Sequence, residues 1–422
     1  LSLSPKEIRE IRGNKISMIF QEPMTSLNPV FTSGYQVAEA IMLHQRVDKA
    51  TAKARTISLF EEVQLPRPTQ IFESYPHQLS GGQKQRVMIA MALSCNPELL
   101  IADEPTTALD VTVQKTILDL LKKIKNDRNM SMIFISHDLA VINEIADHVA
   151  VMLKGKIVEQ GPADKIFELP EHPYTKGLLS CRPDPETPLK KLPIVADFLR
   201  GKEDHLQKEN FVTAQDRDSR AERIYTSTPL VSIKSLNTWF PIKKGLFGKA
   251  TDHIKAVNNV SFDVFKGETL GLVGESGCGK TTLGRSIIRL VEPTSGSIQF
   301  EGREITELSA SALRHLRKDM QIIFQDPYSS LNPKITVGHA ILEPLAVHKV
   351  LANDRERKQY AINILEKVGL SGDHYNRYPH EFSGGQRQRI VIARALALKP
   401  KFIICDESVS ALDVSVQAQV LN

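Results

Sequence analysis

Apolar positions fall into two kinds of run along this chain. Stretches such as LLIAD at 99 to 103 and FIICD at 402 to 406 are short and almost wholly hydrophobic, the pattern of strands buried in a parallel sheet. KTILDLLKKIK at 115 to 125 spaces its apolar side chains three and four apart, the period of a helix with one buried stripe. Such strands alternating with such helices predict an α/β fold with a mostly parallel sheet. From 229 onward, PLVSIKSLNTWF and AVNNVSFDVF instead read as two strands of an antiparallel layer.

The pattern is also written twice. IRGNKISMIFQEPMTSLNP (11 to 29) matches LRKDMQIIFQDPYSSLNP (316 to 333), LSGGQKQRVMIAMAL (79 to 93) matches FSGGQRQRIVIARAL (382 to 396), and TTALDVTVQ (106 to 114) matches VSALDVSVQ (409 to 417). An offset of 303 residues is far too long for a solenoid repeat and marks duplication of a whole domain. We expect a first domain over 1–161, an appendage and linker over 162–228, and a second domain over 229–422. Pro162, Pro170, Pro173, Pro183, Pro185, Pro188 and Pro193 break up the middle segment, and KEDHLQKENFVTAQDRDSRAER (202 to 223) is polar and charged, as a linker would be.

Composition narrows the class. With 422 residues, 41% of them hydrophobic, the chain can build two or three cores and has no disordered character. Its net charge of +5 is spread among both signs, which does not point to nucleic acid and suits phosphate ligands or an anionic membrane surface equally. Cys95, Cys181, Cys278 and Cys405 form no CxxC pair, arguing against a disulfide framework and for a reducing, cytosolic setting. No apolar run approaches 18 residues, so the chain is not expected to span a membrane. Leu at position 1, and an end nine residues after the second ALD, lead us to expect a fragment cut at both ends.

Three motifs carry chemistry. GESGCGKTT (274 to 282) lies between the apolar run ETLGLV, expected as a strand, and the helical run TTLGRSIIRLV. That is the setting of a P-loop: glycines let backbone N–H groups wrap phosphates, Lys280 reaches the terminal ones, and Thr281 offers a hydroxyl to Mg²⁺. Asp103 and Glu104 end one strand run and Asp406 and Glu407 the other, placing a metal-binding carboxylate and a water-polarising one beside such a loop. Ser80 and Ser383 can each cap a helix, and the glycines after them admit an anion to its first turn. His137 follows a third strand run, MSMIFIS.

Taken together these words resemble the nucleotide-binding domains of ABC ATPases, in that family's order and across most of both halves. The resemblance implies RecA-like sheet cores, each with a helical subdomain and an antiparallel layer, paired head to tail over two ATP molecules. Each nucleotide would be gripped by the P-loop of one half and the SGGQ of the other. For one site it assigns Gly274, Glu275, Ser276, Gly277, Cys278, Gly279, Lys280, Thr281 and Thr282 to phosphates and Mg²⁺, Gln325 to metal and water, Asp406 to metal, and Glu407 to the general base. Ser80, Gly81, Gly82 and Gln83 would close that pocket with Asp110 beside them, and Phe240, with Trp239 as the alternative, would stack on adenine. The other site would use Gln21, Asp103, Glu104 and His137 with Ser383, Gly384, Gly385, Gln386 and Asp413 across the interface. Its P-loop, and the counterpart of His137, would align outside the two ends of the chain. Phe382 departs from the usual Leu of the signature, and Ser408 from the Pro at 105, which leaves the turn after Glu407 less rigid.

PMTSLNP, PYSSLNP, the insertion FPIKKGLFGK (240 to 249) and EHPYTKGLL (171 to 179) narrow the resemblance to the ATPases of oligopeptide and dipeptide importers, including fused forms serving peptide, glutathione or nickel uptake. It implies two membrane permease subunits and, indirectly, an extracytoplasmic solute-binding protein as partners, and a place on the cytoplasmic face of the cell membrane. Relatives of the appendage carry iron–sulfur cysteines; Cys181 alone cannot ligate a cluster, and none is expected. The alternative, a soluble twin-domain ATPase of the translation-factor type, would need a long charged helical arm where this linker is broken by proline.

Overall fold

The computed structural model describes residues 3–21, 26–106, 109–181, 187–201, 210–243, 250–275, 277–408 and 417–418. They divide into two units, Leu1–Leu179 and Ser180–Asn422.

In the first unit, β1 (Ile16–Ile19), β2 (Leu99–Asp103) and β3 (Ser131–Ile135) form a parallel sheet in the order β1-β2-β3. Leu100 and Ala102 on β2 are fully covered and belong to the same apolar cluster as Ile117, Leu118, Leu121 and Ile124, the predicted buried stripe of helix Val111–Asp127. Helices Ser33–Gln45, Lys49–Glu62 and Gly81–Leu93 add a helical block around Phe60, Ile89 and Leu93. Two arginines fasten it. Arg86 donates to the carbonyls of Val63 and Gln64, both at 2.9 Å, closing the C-terminus of Lys49–Glu62, and Arg128 grips the Glu62 carboxylate with two N–H groups at 3.1 and 2.6 Å. A hairpin of β4 (His148–Leu153) and β5 (Lys156–Pro162) follows. Glu159 on β5 accepts from the N–H groups of Glu171 and His172 at 2.7 and 3.1 Å, holding an anion at the start of helix Pro173–Ser180, where the exposed amides favour it.

The second unit opens with the predicted antiparallel layer: β6 (Pro229–Lys243), β7 (Ala250–Phe265), β8 (Ser295–Phe300) and β9 (Arg303–Glu304) in the order β7-β6-β8-β9. It packs on helix Lys280–Ile287 through Ile233, Leu236, Ile298, Leu283 and Ile287. β10 (Met320–Ile323) and β11 (Phe402–Cys405) pair in parallel, Ile323 opposite Cys405. Helices Val337–Val347, Asp354–Lys367 and Gly384–Ala397 repeat the helical block of the first unit around Leu345, Leu365 and Ile390.

Two expectations fail. The run ETLGLV is not a strand: residues 268 to 275 carry no ladder, and Leu270, Leu272 and Val273 are 45%, 49% and 94% exposed. No described strand pairs with them. Ile133 and Ile135 of β3 are 50% and 45% exposed, because no described strand pairs with its outer side. The second failure concerns the linker. Residues Ala214–Tyr225 form a helix, started by a capping box in which Thr213 and Asp216 exchange hydrogen bonds and ended by Tyr225, whose hydroxyl donates to Glu268 at 3.0 Å. High polarity hid it, since almost the whole helix is solvated and only Ile224 is buried.

Candidate functional site

Parallel strands deliver side chains to one end of a sheet, and both halves use that geometry in the same way. In the first, β1 leads to Gln21, β2 to Asp103 and Glu104, and β3 to His137. The Gln21 carboxamide donates to Glu104 Oε2 at 2.8 Å, and His137 Nδ1 lies 3.1 Å from Glu104 Oε1. Glu104 and His137 side chains are only 18% and 25% exposed, so three of the residues singled out from sequence meet around one sheltered carboxylate. In the second half β10 leads to Gln325 and β11 to Asp406 and Glu407, and the Gln325 carboxamide donates to Glu407 Oε2.

The backbone at both glutamates was not legible in advance. Glu104 and Glu407 adopt left-handed φ values of 46° and 49°, a conformation costing on the order of 1 kcal/mol for a residue with a Cβ. It turns each carboxylate back toward its Gln partner. Neither site has glycine or asparagine there, so nothing in the sequence announces the turn.

Gly274, Glu275 and residues 277 to 279 lead into helix Lys280–Ile287. Gly277 and Gly279 have φ of 81° and 103°, and a Cβ on Gly279 would sit 2.1 Å from the Ala256 carbonyl oxygen, so only glycine fits at that point. Lys280 Nζ folds into the loop and donates to the carbonyls of Gly274 and Glu275 at 2.7 and 2.8 Å. The Thr281 hydroxyl donates to Asp406 Oδ1 at 2.8 Å. Asp406 is 9% exposed, and its other oxygen, Oδ2, is buried without a hydrogen-bond partner. A hydroxyl and a half-satisfied buried carboxylate side by side form the oxygen set that a Mg²⁺ ion takes, so these residues fit the metal.

The two SGGQ segments begin helices Gly81–Leu93 and Gly384–Ala397 as expected. Ser80 Oγ accepts from the Gln83 N–H at 3.3 Å while the Gln83 side chain accepts from the Ser80 N–H at 2.9 Å; Ser383 and Gln386 repeat this at 3.4 and 3.1 Å. Each reciprocal cap is worth about 1 kcal/mol and fixes the direction of the first turn. Asp110 caps the next helix through the Val113 N–H at 2.9 Å, and a Cβ on Gly82 would lie 2.9 Å from a Val113 methyl, so these two helix starts are packed face to face. Ser276 and Asp413 lie outside the described residues. Of the two candidate rings, Trp239 has Lys255 Nζ 4.8 Å over its face, whereas Phe240 is 42% exposed on β6.

Family models agree with this layout. The ABC transporter family matches residues 2–107 and 257–410, and the oligopeptide/dipeptide transporter C-terminal region matches 158–205. The second match covers the place where a translation-factor arm would lie, and that alternative finds no support. A glutathione import ATP-binding protein GsiA from Pectobacterium atrosepticum is 51% identical over 415 residues, 98% of this chain and 65% of the relative. Its namesake from Salmonella choleraesuis is 50% identical over 425 residues, covering 99% and 66%. The chain thus spans just under two thirds of these relatives' length. Among solved structures, a post-hydrolysis dimer of an ATP-binding cassette bound to ADP and Pi is similar over 45% of this chain and 79% of its own, at 30% identity and a TM-score of 0.41. With its family matched in two regions around the loop at Lys280 and both carboxylate pairs, this chain belongs to the ABC transporter family.

Proposed function

We propose that this chain hydrolyses ATP to ADP and phosphate as the ATP-binding subunit of an importer, driving uptake of peptides or related small solutes through separate membrane subunits. Glutathione, named in the relatives, is the first solute to try. The observation that carries the reading is the convergence of three groups at one sheet end: the Lys280 loop, the Thr281–Asp406 pair and the Gln325–Glu407 pair. No described helix is long and apolar enough to cross a membrane. On this reading transport runs through permease partners, and the chain works at the cytoplasmic face of the membrane they occupy. An extracytoplasmic binding protein would supply the solute.

Lys280 exchanges its two loop carbonyls for phosphate oxygens when ATP enters, and the amides at the start of its helix hold the same anion. Phe240 covers the base. Thr281 and Asp406 would hold Mg²⁺, and the ion would supply charge that polarises the phosphoryl oxygens. Glu407, aimed by its left-handed backbone and by Gln325, takes a proton from the attacking water in line with the γ-phosphate. Ser80–Gln83 closes the site from the other half, and Gln21, Glu104 and His137 play the parallel parts with Ser383–Gln386. Nucleotide binding draws the halves together, and hydrolysis parts them.

Cys278 tests the nucleotide reading. It is exposed inside the loop, its sulfur packed on Gly274 and 3.8 Å from Lys280 Nζ. Burial pushes the Cys181 thiol up to about 11 and raises Cys95 as well. Cys405 is an exposed residue, yet desolvation of its sulfur raises that thiol too. A maleimide at neutral pH should therefore mark Cys278 first, located by mass spectrometry, and the modified chain should lose nucleotide binding. MgATP should protect the thiol; equal labelling with and without saturating MgATP would overturn the assignment.

A further inference from the structure

A short helix, Pro327–Ser330, follows Gln325 by one residue. Asp326 caps it, accepting from the N–H groups of Tyr328 and Ser329 at 2.8 and 3.2 Å. Two arginines of helix Gly384–Ala397 hold it from below. Arg394 donates to the Ser330 carbonyl at 2.6 Å, and the Arg387 guanidinium lies 3.8 Å from the centre of the Tyr328 ring. Arg387 is only 8% exposed, donates to the carbonyls of Pro379 and His380 at 2.7 and 3.4 Å, and keeps a buried Nη1 with no partner. Tyr328 is 64% exposed, so the ring is a lid on a buried cation.

Its position gives the stack a consequence. Arg387 directly follows Ser383–Gln386, and Tyr328 stands three residues after Gln325, which holds Glu407. The matching residues of the first half are Met24, Lys84 and Met91, which offer neither an aromatic face nor a planar guanidinium. We propose that Tyr328, Arg387 and Arg394 are positioning residues that transmit nucleotide binding at the Lys280 loop to the first turn of the Ser383 helix, and that this link exists in the second half alone. The proposal rests on the ATP-site reading above. Gln325 moving onto MgATP would pull the capped turn at Asp326, the turn carries Tyr328 and Ser330, and the two arginines would carry the pull to the first turn of the Ser383 helix.

Hydrogen exchange on the 422-residue chain tests this, because it has one P-loop sequence and so one direct cause of protection. Saturating MgATP should slow exchange of the amides of Arg387–Ile390 by about fivefold, the equivalent of about 1 kcal/mol. Tyr328→Phe, which keeps the ring, should retain that response; Tyr328→Ala should lose it, with MgATP affinity unchanged because the side chain touches no nucleotide group and with only the small fall in unfolding midpoint that uncovering Arg387 brings. Full protection in Tyr328→Ala, or none in the parent despite slowed exchange at Lys280–Leu283, would overturn the link. No slowing even at Lys280–Leu283 would sink the ATP-site reading, and the link with it.

Discussion

Replacing Glu407 by Gln should cut single-turnover hydrolysis by roughly 10²- to 10⁴-fold, the range a positioned general base supplies, while MgATP affinity changes by less than about threefold. The measurement uses the 422-residue chain, whose one P-loop sequence confines turnover to the Lys280 site. Glutamine keeps the shape and keeps a carbonyl oxygen for the Gln325 N–H, so the left-handed turn and its hydrogen bond survive. What disappears is the capacity to take a proton. The outcome should be a nucleotide-loaded, closed state that persists. Asp406→Asn makes a useful contrast, since it removes charge from the oxygen set around Thr281 and should weaken Mg²⁺-dependent binding instead of trapping it. Hydrolysis in Glu407→Gln within about tenfold of the parent would show that another group activates the water.

Lys280→Ala should act earlier, on binding. The ammonium already points into the loop at 2.7 and 2.8 Å from two carbonyls, so no rotamer search precedes its meeting with phosphate. Losing a charge-assisted contact of about 2–3 kcal/mol should raise the MgATP dissociation constant roughly 30- to 150-fold, read by calorimetry. Arginine should not restore it, because the loop was shaped around a compact ammonium and the planar fork needs more room. An unchanged dissociation constant would place the nucleotide elsewhere.

Much of this site could be read from residue order because its parts depend on local chemistry. The caps at Ser80 and Ser383 and the strand-end positions of Gln21, Glu104, His137, Gln325 and Glu407 each follow from a few neighbouring residues. Features set by partners distant in sequence were hidden. ETLGLV has every property of a strand but no neighbouring edge, and a strand without a ladder is not a strand. Helix Ala214–Tyr225 escaped because its stability comes from capping at Thr213 and a tyrosine contact with Glu268, not from an apolar stripe. The Arg387–Tyr328 stack joins residues 59 positions apart, and the αL glutamates lack any residue preference that would betray them.

On the proposed reading, one nucleotide would be shared between the Lys280 loop and the first half's Ser80. Vanadate trapped with MgADP in the 422-residue chain, followed by ultraviolet illumination, breaks the backbone beside the γ-phosphate position and reports which segments surround it. Cleavage near Lys280 accompanied by cleavage at Ser80, with Ser383 left whole, is the result this account requires. Cleavage confined to the Lys280 loop, or found at Ser383 in place of Ser80, would contradict it.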